Sequence, residues 1–350
     1  MSTQSTDYRS IKAISNSLMA IYEDDFTTFV NYWVKNVPLP ERSDDSLRMG
    51  SVIDTLLTRP EEFNDKFIVY KGVYPSGQML QFCNYLATKW DGITPISEWH
   101  QSAYEDVGFK RDNLAKVLEK FEVYRDYFEF LIDSKNKSVV SAEMASRARY
   151  IVGQLKDGEY TRGIVNAHTF KSERVDITVF HQLELTQVWT GEPTFSKPKW
   201  KKGIAIKGAL DKVIVDHVRK VIIPIDYKSS FNVEGFQDSY FKWRYYRQGS
   251  FYTFLIKQWA IEQGYDGYTI RPFKFVVCST TGGKHYIYEM DEIDIKKART
   301  GGTTYNGINV KGWEDILDEI AYMTEVDKWD YPYMAQIKNG IVPLNIFKNE

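Results

Sequence analysis

Two short segments near the middle of the chain have the residue types and spacing of a metal-dependent hydrolytic site. The first reads Gly208-Ala209-Leu210-Asp211, and the second reads Ile225-Asp226-Tyr227-Lys228. Two carboxylates held close together repel each other unless a cation lies between them. Such a pair, with a lysine beside it, could bind Mg²⁺ and promote the attack of water on a phosphodiester.

A β-hairpin is the element that would bring these segments together. The stretches 204–215 and 221–225 are rich in β-branched residues, and the polar residues 216–220 separate them. This pattern is typical of two antiparallel strands joined by a short turn. The hydrophobic residues that alternate along the second stretch would face a core.

The register of the predicted hairpin determines whether the acids meet. If Asp216 pairs with Val221 across the turn, Asp211 lies opposite Asp226, with Cβ atoms about 5 Å apart. Side chains repeat every second residue along a strand, so Lys228 shares a face with Asp226. The hairpin therefore predicts one surface with two acids and one base.

A polar pair follows on the next helix, which we predict over about 238–263. Gln248 and Tyr252 are four residues apart and so project from one helical face. Taken alone, an Asp-x-Lys sequence on a strand would more often lie on a solvent-exposed edge of a sheet, and Tyr252 would more often be a core residue. The occurrence of all these motifs in one order favours a site.

This ordered set resembles the three C-terminal signatures of the RecB-like branch of the PD-(D/E)XK nuclease superfamily. The front of the chain is similar to exonuclease VIII-type phage and prophage enzymes, and the resemblance extends roughly from Ser10 to Glu289. The segments that carry this second resemblance are Ile14–Leu18, Met49–Asp54, Arg59–Phe63, Phe67–Tyr70 and Val139–Met144.

The resemblance implies an α/β fold in which helices flank a mixed central β-sheet, the restriction-endonuclease-like PD-(D/E)XK core, with a helical N-terminal elaboration. It implies a Mg²⁺-dependent DNA exonuclease, with Mn²⁺ as a substitute, that degrades linear duplex DNA from 5′ to 3′. The 3′ single strands would serve a strand-annealing protein in phage-type recombination or replication. Two alternatives stay open: an endonuclease for branched DNA with the same site, and a catalytically inactive DNA-binding protein.

The resemblance also assigns roles to individual residues. Asp211, Asp226 and the Tyr227 carbonyl would hold the metal, and Lys228 would orient or polarise the attacking water. Gln248 and Tyr252 would form hydrogen bonds that support these groups. The implied catalytic set is Asp211, Asp226, Lys228, Gln248 and Tyr252.

Two further acids are candidate metal ligands. The family pattern has histidine at the end of Gly-x-x-x-His, where this chain has Asp54. Aspartate is a hard oxygen ligand suited to Mg²⁺ or Mn²⁺, so Asp54 could replace the histidine; an ordinary exposed helical residue is the equal alternative. Glu184 aligns with a glutamate often present on the strand before Gly-x-x-Asp, although alone it would most often be a surface residue.

Basic residues interleaved with aromatic ones indicate where DNA could bind. Lys242, Arg244 and Arg247 alternate with aromatic residues just before Gln248, and such a mixture neutralises phosphates and stacks on bases. We favour DNA contact for this cluster. A second cluster flanks Trp200, and there a solvated charged face is the favoured interpretation: Lys197, Lys199, Lys201 and Lys202.

Composition is compatible with this interpretation without selecting it. The chain has 350 residues, of which 43% are hydrophobic, and a net charge of −2, so DNA binding would depend on a local positive channel. We predict a disordered tail at 1–9 and a single nuclease domain at 10–350. This domain would carry an aromatic-rich helical elaboration at about 71–135, which would clamp DNA, contact another subunit or serve only as a packing layer. C-terminal helices at about 291–330 would pack on the outside of the domain.

Cysteine usage indicates a reducing compartment, here the cytoplasm, or the host cytoplasm if the protein is phage-encoded. Cys83 and Cys278 are far apart, and two cysteines cannot hold the iron–sulfur cluster found in some RecB-like nucleases. No signal peptide or membrane-spanning run is apparent. Related enzymes form rings, so a homo-oligomer stays an open alternative.

Overall fold

The computed structural model describes residues 8–39, 45–134, 137–191 and 200–340. The strands are β1 (Phe67–Tyr70), β2 (Ser138–Ser141), β3 (Phe170–Lys171), β4 (Asp176–Trp189), β5 (Ile204–Asp216), β6 (Val221–Ser230), β7 (Thr269–Ile270), β8 (Lys274–Ser279), β9 (His285–Glu289), β10 (Gly302–Thr303) and β11 (Asn309–Val310). The α-helices are α1 (Asn16–Asp24), α2 (Phe26–Trp33), α3 (Asp45–Thr58), α4 (Phe63–Lys66), α5 (Gly77–Lys89), α6 (His100–Val107), α7 (Leu114–Val123), α8 (Arg125–Asp133), α9 (Ala142–Asp157), α10 (Arg162–Val165), α11 (Phe236–Lys242), α12 (Tyr245–Glu262), α13 (Glu292–Thr300), α14 (Trp313–Val326) and α15 (Tyr333–Ile337).

The chain divides into two compact units. The second unit comprises residues 43–154 and 280–283, and the first comprises the remainder. The predicted elaboration at 71–135 lies inside the second unit, together with α3. At the N-terminus, residues 1–7 of the predicted tail lie outside the described residues, and Tyr8–Ser10 form a short 3₁₀-helix.

A mixed β-sheet forms the centre of the first unit, and this coarse expectation from the sequence is confirmed. Its strand order is β3-β4-β5-β6-β8-β9, with β7 also paired to β6. The β4, β5 and β6 strands are antiparallel neighbours, whereas β6 is parallel to β7 and β8. Pro224 lies between the stretches of β6 that pair with β7 and with β8, a place where its missing N–H costs no ladder hydrogen bond.

Helix α12 packs on β4 and β5, and Trp313 at the start of α14 packs against Phe251 of α12 and Trp189 of β4. Phe251, Leu255 and Trp313 are fully buried, and the indole N–H of Trp313 donates to Ser250 Oγ over 3.0 Å. Burial of large apolar side chains is the main stabilising contribution to such a core, roughly 1.5–3 kcal/mol for each. The β5–β6–α12 segment is therefore held in place by the core of this unit.

The helix predicted over 238–263 is two helices, because the chain bends between α11 and α12. Arg244 there adopts the left-handed conformation, with φ of 56°. Its guanidinium forms two hydrogen bonds with the Asp24 carboxylate, at 2.9 and 2.5 Å, and these hold the bend against α1. Helix propensity alone gave no sign of this tertiary contact.

The second unit has a core of its own, built largely from the aromatic residues of its helices. Phe82 and Phe121 are fully buried and meet edge to face, and Phe121 meets Phe128 in the same way. Such aromatic pairs add about 0.5–1.5 kcal/mol beyond burial. Packing thus accounts for many of the aromatic residues of the 71–135 stretch. In either unit, no described helix is both long and apolar enough to cross a membrane.

Candidate active site at the end of the β5–β6 ladder

The predicted register of the hairpin is confirmed. Asp216 pairs with Val221, and the β5–β6 ladder continues to the pair Lys212 and Ile225. Asp211 and Asp226 are the next residues in this register, immediately beyond the last pair. There the Tyr227 N–H donates to Asp211 Oδ2 over 2.7 Å, so the carboxylate of one strand takes up a backbone donor of the other.

Asp226 is the more deeply buried of the two acids. The residue is 2% exposed, and the side-chain amide of Gln248 on α12 donates to its Oδ1 over 3.0 Å. Its Oδ2 forms an ion pair with the Lys228 ammonium, and it receives no further hydrogen bond within the described part of the chain. A buried charged oxygen of this kind needs a positive partner, because burial of an unpaired carboxylate is costly.

Lys228 lies between this acid and an aromatic ring. Its Nζ is 4.7 Å from the centre of the Tyr245 ring, at the start of α12. Burial by itself would lower the pKa of Lys228, but the negative charges of Asp226 and Asp211 outweigh it and raise the pKa. The ammonium is consequently charged throughout the physiological range.

Tyr252 approaches the site because Gly208 leaves room for it. A Cβ atom at Gly208 would lie 2.7 Å from Tyr252 Cε1 and 2.6 Å from Leu255 Cδ1. Glycine is thus required at this position of β5 for α12 to come so close. Burial, followed by the charge of Asp226, raises the pKa of Tyr252 to about 12, which keeps its hydroxyl protonated as a donor.

Sequence reasoning missed Gln182, which is opposite Asp211 on β4. Its side-chain amide donates to Asp211 Oδ1 over 3.2 Å. Each acid therefore accepts a hydrogen bond from a glutamine amide, Gln248 for Asp226 and Gln182 for Asp211. The register of β4 with β5 could have pointed to Gln182, but that register depends on a strand pairing that no local motif reveals.

The donor set of this site fits a hard divalent cation. Mg²⁺ is usually held by one or two carboxylates and keeps several waters, and Asp211 and Asp226 supply two carboxylates. Each carboxylate oxygen has two acceptor positions, so the hydrogen bonds described leave room for a metal. Within the described residues, no group of three or more His, Cys, Asp and Glu side chains is arranged to hold a metal ion. Main-chain carbonyls and water would therefore complete the coordination.

The other predicted ligands are placed as follows. Tyr227 pairs with Val276 in the parallel ladder of β6 with β8, and the role of its carbonyl stays a prediction. Glu184 is exposed on β4 opposite Ala209, and its charge contributes, after burial and Tyr252, to the raised pKa of Tyr8. Asp54 is half-buried on α3 of the second unit. Metal binding by Glu184 or Asp54 likewise stays a prediction.

The three predicted DNA-binding residues have different surroundings. Lys242 is exposed, and its Nζ is 4.9 Å from the centre of the Trp243 ring, which is itself 55% exposed. Arg244 is half-buried and bound to Asp24. Arg247 is 1% exposed, and its guanidinium binds Glu23 and the Asn16 amide oxygen of α1.

These surroundings make Lys242 and Trp243 the accessible part of that cluster, while both arginines attach the helix to α1. In the cluster around Trp200, Lys201 and Lys202 are exposed, and Lys197 and Lys199 lie outside the described residues.

A cavity of about 320 Å³ lies next to Tyr252 in the first unit. Gly208, Ala209 and Lys207 of β5 line it, together with Ser15, which caps α1, and Ser17 of α1. The volume is within the range of small-ligand sites, and the lining is mainly apolar with a few polar groups. The Lys207 ammonium donates to the carbonyls of Tyr8 and Ile11.

Comparison with models of known protein families finds no match to this chain, and comparison with curated proteins finds none either.

Proposed function

We propose that this protein is a metal-dependent deoxyribonuclease with a PD-(D/E)XK core, which hydrolyses phosphodiester bonds of linear double-stranded DNA. One observation carries the proposal: Asp211 and Asp226 follow the last pair of the β5–β6 ladder, and the Lys228 ammonium is paired with Asp226. Acid, acid and base on adjoining strands are the minimal set for metal-assisted phosphodiester hydrolysis. The motif order in the sequence supports the same assignment.

The metal ion would be held by the Asp211 and Asp226 carboxylates. When bound, it would lower the pKa of a coordinated water and neutralise charge on the scissile phosphate. Lys228 would donate to the attacking water or to a phosphate oxygen, since its ammonium stays charged. Gln248 would hold the Asp226 carboxylate in one orientation, and the Tyr252 hydroxyl would supply a protonated donor near them.

We favour exonucleolytic action, 5′ to 3′, which would leave 3′ single strands for an annealing partner. The cavity beside Tyr252 has the size to receive the end of a strand. Lys242 and Trp243 would contact the DNA backbone and a base near the site, since one is cationic and the other is an exposed aromatic.

The test is incubation of purified protein with linear duplex DNA, labelled at either the 5′ or the 3′ end, and with covalently closed circular duplex. We expect cleavage of the linear DNA only, dependent on Mg²⁺ or Mn²⁺ and abolished by a chelator. Rapid release of the 5′ label as short products, with slow shortening of the 3′-labelled strand, would establish the direction.

Asp216→Asn is the matched control, because Asp216 lies on the same strand as Asp211 but at the turn, where it binds Arg219. It should cut like the wild type, whereas Asp226→Asn should not cut. Cutting of circular DNA would indicate an endonuclease instead of an exonuclease. Wild-type protein that binds DNA but cuts nothing with either metal would support the alternative of a catalytically inactive DNA-binding protein.

A further inference from the structure

The strand β4 is distorted at one residue, and that residue faces the candidate site. Gln182 has φ of 49°, in the left-handed region that residues with a side chain seldom adopt. The β4–β5 ladder pairs His181 with Lys212 and Leu183 with Leu210, and it omits the intervening position, where Gln182 would pair with Asp211. The interruption therefore falls at the acid itself.

The distortion has no local sequence cause. Left-handed residues within strands are usually glycine, asparagine or aspartate at bulges, whereas this one is glutamine in the middle of a fourteen-residue strand. Strained backbone persists only where surrounding contacts impose it, and such residues cluster at functional sites. One such contact is the hydrogen bond from Gln182 Nε2 to Asp211 Oδ1.

We propose that Gln182 is a positioning residue, whose left-handed backbone brings its amide to Asp211 and fixes the direction of that carboxylate for metal binding. This inference rests on the proposed function. Asp211 lies just beyond the paired part of β5 and β6, and it is opposite the break in the β4–β5 ladder. Regular pairing therefore does not hold Asp211 on either side, and side-chain contacts must orient its carboxylate. The Tyr227 N–H fixes one oxygen and the Gln182 amide fixes the other.

A glycine substitution separates the amide from the backbone strain. Gln182→Gly removes the amide and relieves the left-handed conformation, so its melting temperature should equal or exceed that of the wild type. Lys220→Gly is the matched control, since Lys220 is also left-handed, with φ of 52°, but lies in the β5–β6 turn. Gln182→Asn retains a side-chain amide on a side chain that is one methylene shorter, and asparagine tolerates the left-handed region.

The readout is Mn²⁺ affinity without DNA, measured by titration calorimetry, together with cleavage kinetics. We expect Gln182→Gly to bind Mn²⁺ roughly 10–100-fold more weakly and to lose kcat by a similar factor. The KM for DNA should stay unchanged, since the proposal gives Gln182 no contact with DNA. Gln182→Asn should show an intermediate loss, and Lys220→Gly should behave like the wild type in both measurements.

Two outcomes would overturn the proposal, and they are distinct from failure of the proposed function. Equal Mn²⁺ affinity and kcat in Gln182→Gly and an active wild type would show that the distortion only bends β4. If the wild type neither binds Mn²⁺ nor cuts DNA, the proposed function fails. A crystal structure of Gln182→Gly then decides this inference: an Asp211 carboxylate that turns away supports it, and one that keeps its direction overturns it.

Discussion

The two sides of the candidate site hold the same kinds of residue in different surroundings. On the β6–α12 side, Asp226 is buried, paired with Lys228 and bound by Gln248. On the β4–β5 side, Asp211 is half-buried and bound by Gln182 and the Tyr227 N–H. Asp226 has an ion pair within hydrogen-bonding distance, and Asp211 accepts hydrogen bonds from a side-chain amide and a backbone N–H.

The lysines next to these acids show what this difference means. Lys228 has acids around it, and its pKa is raised. Lys212 is fully buried on β5, where its ammonium donates to the carbonyls of Val165 and Ala167, both over 2.8 Å. Burial, followed by the charge of Lys156, lowers the pKa of Lys212 to about 8. Lys228 is thus a charged neighbour of the two acids, whereas Lys212 connects β5 to the residues that precede β3.

The largest effect is expected from neutralising either acid. Asp226→Asn and Asp211→Asn each remove a charged metal ligand, so Mg²⁺-dependent cleavage should fall by roughly 10³-fold or more. Initial cleavage rates at saturating Mg²⁺ check this, with Asp216→Asn as the control. Retention of substantial activity in either variant would show that the site does not need both acids.

Removal of the charge at Lys228 should have the next largest effect. Lys228→Met keeps much of the side-chain length without the ammonium, and kcat should fall roughly 10²–10³-fold, as for other lost transition-state donors. Because the pKa of Lys228 is raised, its loss of a proton should not limit the wild-type rate between pH 7 and pH 10. A rate that falls through this range in the wild type but not in Lys228→Arg would contradict the assignment.

A smaller effect is expected from Gln248→Ala. Asp226 would lose the amide donor on Oδ1 but keep its ion pair with Lys228. Removal of such outer partners typically costs 10–100-fold in activity or metal affinity, so we expect about 10-fold. The Mg²⁺ concentration for half-maximal rate is the measurement. Gln258→Ala is the control, because Gln258 is also a half-buried glutamine of α12, ten residues further along the helix.

The smallest effect on activity, and a distinct effect on stability, is expected from Lys212→Met. The unfolded pKa of lysine is about 10.4, so between pH 8 and that value unfolded chains hold a proton that the folded protein has lost. The free energy of unfolding of the wild type should therefore rise across this window, by at most about 1.4 kcal/mol per pH unit from this group.

Lys212→Met should lack that rise, while Lys228 contributes almost no slope until the pH nears 10.4, because below that value it is charged in both states. Urea unfolding at a series of pH values measures the difference. Parallel curves for the wild type and Lys212→Met would contradict the lowered pKa of Lys212.

The β6–α12 side was largely predictable from the sequence. Asp216 and Val221 set the register of a tight hairpin, and Gln248 and Tyr252 lie one helical turn apart, so local periodicity sufficed. The bend at Arg244 was missed because Asp24, which holds it, is 220 residues away in sequence. The partners of Arg247 on α1 are equally distant in sequence, so its burial was not predictable from the cluster of basic and aromatic residues.

The β4–β5 side was less predictable. Gln182 meets Asp211 only through the pairing of two strands separated by a long connection, and its left-handed backbone contradicts its own propensity. In the second unit, the prominent sequence feature was a high content of aromatic residues. Such residues occur both in hydrophobic cores and in DNA-binding or subunit contacts, so they did not distinguish between these roles. Burial of Phe82 and Phe121 in its core is a tertiary property that their spacing did not reveal.

The proposed metal site can be tested with a crystal of the wild-type protein soaked in Mn²⁺, with the ion located by anomalous scattering. We expect a peak between the Asp211 and Asp226 carboxylates, roughly 2.1 Å from an oxygen of each. The peak should be absent from crystals of Asp226→Asn. A well-occupied manganese site elsewhere in the first unit, with nothing between these two acids, would contradict the proposed metal site.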